Sequence, residues 1–102
     1  MASKRKIAAT LRAAAKRIEK DGWCQGACEA GTAVCVGYAL DTTLPYDYDV
    51  IDAAKDFFSS HLKLPSRKSG ATNALITWND RKRRRKGEVV TKLREAARAI
   101  EA

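Results

Sequence analysis

The sequence predicts an all-α fold, a small irregular bundle of about five helices around a buried central helix. Three observations point there. Apolar residues recur at helical spacing in several stretches, with Lys, Arg, Glu and Asp filling the positions between them. Residues 22–40, GWCQGACEAGTAVCVGYAL, stand out from this charged background, holding all three cysteines, one of the two tryptophans and a long apolar run. Finally, 102 residues, 45% of them hydrophobic, give room for one core and not two, so residues 1–102 read as a single helical domain.

Ser3 can cap a first helix whose inward stripe is Ile7, Leu11, Ala14 and Ile18, with Arg12, Lys16, Arg17, Glu19 and Lys20 on the wet face. Asp21-Gly22 ends it, and Trp23 behind the glycine folds back on the stripe as a core anchor. Residues 29–32 read as a turn. Residues 33–40 are apolar at nearly every position, where periodicity cannot separate helix from strand. Val34 and Val36 suit a strand, but a lone strand has no partner here. A buried helix is the reading adopted, with Gly37 allowing a neighbour to approach at a cost of about 1 kcal/mol.

Residues 41–49, with Pro45, Tyr46 and Tyr48, form a loop. Asp49 then caps a third helix with Val50, Ile51, Ala54, Phe57, Phe58 and Leu62 on one face and Asp52 in its first turn, ending before Pro65. After a connector at 66–70, Ala71, Ala74, Leu75 and Trp78 mark a short fourth helix closed by Asn79-Asp80; a strand over ALITW is the alternative. Gly87 separates the basic run 81–86 from a last helix. That helix has Val89, Val90, Leu93, Ala97 and Ile100 inward and a Glu88 to Lys92 pair on its surface.

The order of short motifs carries a resemblance. Trp23, Gln25 and Gly26 give Trp-x-Gln-Gly; Cys35, Gly37, Ala39 and Leu40 give Cys-x-Gly-x-Ala-Leu; Trp78, Asn79 and Asp80 follow, then Val89 and Leu93 on a closing helix. The chain resembles a family of short uncharacterised proteins of bacteria and their phages. The resemblance implies a helical domain, a central role for residues 22–40 and a bacterial or phage-infected cell as the setting; it implies no activity. After Asn-Asp that family usually turns with Pro, Gly and Thr, whereas this chain has RKRRRK.

Net charge of +8 and a pI near 9.7 favour nucleic acid, an acidic membrane surface or an acidic protein over a neutral small substrate. No run approaches the roughly 18 apolar residues of a membrane span. An odd cysteine count behind a charged MASKRK start leads to the expectation of a reduced, cytoplasmic protein. Neither GxGxxG nor GxxxxGK[ST] is present, so no nucleotide cofactor is expected.

Two constellations invite chemistry. Cys24, Cys28, Cys35 and His61 have the donor types of a zinc site, but they lack the close cysteine pairs of a knuckle, and three free thiols with no metal are expected instead. Cys28 as nucleophile, His61 as base, Asn79 or Asp80 behind it and Gln25 at an oxyanion would make a thiol hydrolase. The structural reading is preferred: Gln25 bridging backbone groups, Asn79-Asp80 satisfying a helix end and a nearby loop. The binding candidates are Arg81, Lys82, Arg83, Arg84, Arg85 and Lys86, joined by Arg67, Lys68 and the cations of the first helix if they share a face. Such a run cannot be buried. Its partner is nucleic acid, bound without sequence specificity, or an acidic host protein. In a second reading the chain is a phage or mobile-element accessory protein acting on a host protein through this run or through Tyr46 and Tyr48.

Overall fold

The helix α1 (Lys4–Asp21) is the element on which most of the others pack. Ser3 starts it, its hydroxyl accepting the Lys6 amide at 3.1 Å and so satisfying one free donor of the first turn. Ile7, Leu11, Ala14 and Ile18 are buried as their spacing requires, and Ala8, Thr10 and Ala15 widen the face. Gly22 ends the helix with φ of +99°, and its amide donates to the Ile18 carbonyl. A Cβ there would meet Ala33 at 3.4 Å, an ordinary contact, so it is the conformation and not the space that calls for glycine.

The computed structural model describes residues 2–26, 28, 31–65 and 70–102. Among them are four more helices: α2 (Val36–Asp41), α3 (Tyr48–His61), α4 (Gly70–Asn79) and α5 (Lys86–Glu101). The chain is an all-α bundle, and most of its buried apolar residues form a contiguous cluster drawn from every helix. The most extensive interface joins α1 to α5. Ion pairs from Arg12 to Glu101 and from Arg94 to Glu19 cross it, and their order shows that the two helices run antiparallel.

The apolar run at 33–40 divides. Residue 34 is extended and forms a parallel bridge with Trp23, Val34 N–H donating to the Gly22 carbonyl at 3.0 Å and Cys24 N–H to the Val34 carbonyl at 3.2 Å. Only from Val36 does the chain coil into α2, which buries Val36, Gly37, Ala39 and Leu40. The helix adopted for 33–40 therefore starts three residues late, and the strand alternative is reduced to one bridging residue. The close approach expected at Gly37 is looser than a glycine demands, because an added methyl would sit 4.0 Å from Ile76.

Further boundaries and one ion pair differ from the sequence reading. Asp47, not Asp49, caps α3, its Oδ1 accepting the Val50 amide at 3.3 Å; the helix begins two residues earlier, and Asp49 takes the first-turn position given to Asp52. Gly87 lies inside α5 instead of ahead of it. Glu88 pairs with Arg84 at 2.7 Å and Lys92 with Glu95 at 3.3 Å, so the expected Glu88 to Lys92 pair is replaced by two others. Of the turn at 29–32, only Gly31 and Thr32 fall among the described residues, and they do turn.

Candidate functional site

Asn79, the last residue of α4, is fully buried and holds three segments together. Its Oδ1 accepts the Trp23 indole N–H at 2.7 Å and the Val36 amide at 3.0 Å. Its Nδ2 donates to the Cys24 carbonyl at 3.1 Å and to Asp80 Oδ1 at 3.0 Å. Gln25 Nε2 donates to the carbonyls of Asn79 and Arg81, both at 2.9 Å, and the Gly26 amide donates to Asp80 Oδ1 at 2.9 Å. The structural roles read for Gln25 and for Asn79-Asp80 are the ones observed. Trp23 is half-buried against the core and Trp78 is buried edge-on to Phe58, ring centroids 5.6 Å apart.

The basic run leaves this knot as a tight turn. Arg84 N–H donates to the Arg81 carbonyl at 3.0 Å, and Arg83, third of the four residues, has φ of +73°. That is the turn type in which the third position favours glycine. Here arginine occupies that left-handed position. Arg81, Lys82, Arg83, Arg85 and Lys86 are exposed. Arg84 is not: its side chain is 10% exposed, its guanidinium lies 4.1 Å from the Trp78 ring centre, and its Nε donates to the Trp78 carbonyl at 3.0 Å. The expectation that the whole run stays out of the interior is thus corrected at one residue, where a flat aromatic face, a carbonyl and Glu88 together replace water around the cation.

Lys86 Nζ reaches the Glu19 carbonyl at 3.3 Å, which brings the last turn of α1, with exposed Lys20, beside the run. Arg12 and Arg17 are engaged by Glu101 and Asp21. Arg67 and Lys68 lie outside the described residues.

Cys24 and Cys28 form a disulfide, their Cα atoms 5.8 Å apart, which corrects the expectation of three free thiols. The bend at Gly26, with φ of +64°, accounts for that approach. Cys35 is the free thiol, and its Sγ accepts the Tyr38 amide at 3.4 Å as the cap of α2. Cys28 and Cys35 line one hollow of about 490 Å³, whereas His61 stacks on Phe57 and lines another with Lys63, Arg81 and Lys92. With its sulfur bonded and the histidine elsewhere, Cys28 is not placed as a nucleophile on His61.

A different surface carries three exposed apolar groups. Leu44, Tyr46 and Tyr48 are 71%, 58% and 74% exposed, next to Asp47 and Asp49 and to a shallow apolar hollow that includes Ala9, Ala13, Pro45 and Val50. Residues 41–56 carry five aspartates against one lysine, so charge is segregated between this surface and the basic turn.

Fold and site together define a small helical domain that displays a basic turn from a buried asparagine knot. The chain belongs to a family of unknown function (DUF6197), which it matches over residues 2–99. No curated protein and no solved structure matches it.

Proposed function

We propose that this protein binds nucleic acid, or another polyanion, through the α4–α5 turn and without reading sequence. The observation that supports this most is the state of the cations: Arg81, Lys82, Arg83 and Arg85 are exposed and form no ion pair among the described residues, on a turn tied at its start by Gln25 and Arg84. Phosphate contacts from such a turn supply affinity and position; base identity is left unread. Lys86 and Lys20 extend the positive surface.

Titrating duplex and single-stranded DNA across a salt series tests it. With about five phosphates of a duplex engaged, the logarithm of affinity should fall with a slope of roughly −4.5 against the logarithm of salt, and replacing Lys82, Arg83 and Arg85 with Ala should flatten it by roughly three. Binding that ignores salt, or a slope that survives the triple substitution, would overturn the proposal.

The exposed Leu44, Tyr46 and Tyr48 favour a second reading, in which a phage or mobile-element accessory protein docks on a host protein. Its signature is a saturable partner recovered from nuclease-treated lysate and lost on Tyr46→Ala with Tyr48→Ala.

A further inference from the structure

We propose that the Cys24–Cys28 disulfide is a redox modification site, exchanged by dithiols, whose state sets how firmly the basic turn is held. The ring it closes spans a sequence separation of four and contains Gln25 and Gly26. Those two residues supply three hydrogen bonds to the stretch where α4 ends and the turn begins, and the Cys24 carbonyl accepts a fourth from Asn79. The same few residues are therefore both the disulfide loop and the clamp. Opening the ring returns conformational freedom to residues 24–28, and the same hydrogen bonds must then offset a larger entropy to keep the clamp shut.

The exposure of the two sulfur-bearing residues gives the direction of attack. Cys28 is exposed on the rim of its hollow, and Cys24 is half-buried. A thiolate of the dithiol bonds to Cys28 Sγ, the Cys24–Cys28 bond breaks, and Cys24 leaves as a thiolate that takes up a proton. The second thiol of the dithiol then displaces Cys28, so that the dithiol ends as a disulfide and the protein as two thiols, with two electrons transferred. A small disulfide runs the sequence backwards. The consequence for binding rests on the function proposed above; the clamp itself does not.

Residue-resolved hydrogen exchange on the full chain tests the clamp, comparing the oxidised protein with the protein in dithiothreitol. Cys35→Ser removes the third thiol from any rearrangement, and Cys24→Ser with Cys28→Ser gives a permanently open form. On reduction the amides of Gly26, Asp80, Arg81 and Arg84 should exchange about tenfold faster while those of α1 and α5 keep their protection. Unchanged exchange at those four amides would overturn the proposal. So would a loss of protection throughout the chain, which would make the bond a general staple, or failure of Cys24 and Cys28 to pair under glutathione disulfide. Duplex affinity measured in both states should differ by about threefold, since a looser turn must be ordered on binding. Faster exchange with no nucleic-acid binding in either state would keep the clamp and overturn the polyanion function.

Discussion

Replacing Asn79 by alanine would leave the Val36 amide and the Trp23 indole N–H without their acceptor and the Cys24 carbonyl without its donor. At about 1–3 kcal/mol for each stranded group, urea denaturation should report a loss of about 3 kcal/mol or more. Asn79→Asp separates size from chemistry. It keeps an acceptor for Trp23 and Val36 but turns a second oxygen toward the Cys24 carbonyl and Asp80 Oδ1, and it should cost about 2 kcal/mol or more at neutral pH. At the turn, Arg83→Gly relieves a left-handed arginine and should raise stability by up to about 1 kcal/mol while removing one phosphate contact. Arg84→Ala should do the opposite, costing about 1–2 kcal/mol through the lost Trp78 and Glu88 contacts and leaving the salt slope of DNA binding nearly unchanged. If Arg84→Ala flattened that slope as much as Arg83→Ala, the separation of structural from displayed cations would fail.

At the scale of elements, the sequence was most readable where periodicity and caps agree. Ser3 and the stripe from Ile7 to Ile18 define α1, and spacing identified the buried residues of α5 apart from Ala96. The misplaced boundaries have physical causes. Two aspartates two residues apart, Asp47 and Asp49, both look like caps, and only the geometry of the chain after Pro45 chooses between them. Asp47→Ala should therefore cost about 1 kcal/mol of thermal stability and Asp49→Ala only a few tenths, because the first loses a cap bond and the second a dipole interaction. The reverse order would restore Asp49 as the cap. Residue 34 left the helix because Trp23 offers it a backbone partner, a pairing between segments that no local pattern displays. Glycine at 87 reads as a break, yet α5 runs through it, because a glycine costs a helix only about 1 kcal/mol and the buried stripe from Val89 onward offsets that.

Across the whole molecule, the helical bundle was legible and the site only in part. The exposed cations were found by composition, but the withdrawal of Arg84 depends on Trp78, and the disulfide depends on a bend at Gly26 that the three cysteines do not announce. The asparagine knot was half legible: Asn79-Asp80 reads as a helix end, while its partners lie far along the chain. Asn79 meets Trp23 across a sequence separation of 56 and Val36 across one of 43. Contacts over such spans are unfavourable until docked helices have shortened the loops between them, so the knot should close late, after the rate-limiting step of folding. Its energy then resides in the lifetime of the native state and not in the speed of reaching it. Asn79→Ala should leave the folding limb of a denaturant chevron in place and raise the unfolding rate by roughly a hundredfold for a loss of about 3 kcal/mol. A folding rate that fell by that factor instead would place the knot in the nucleus. The buried amide thus acts as a latch, and how long this protein resists a protease that waits for it to open hangs largely on one side chain.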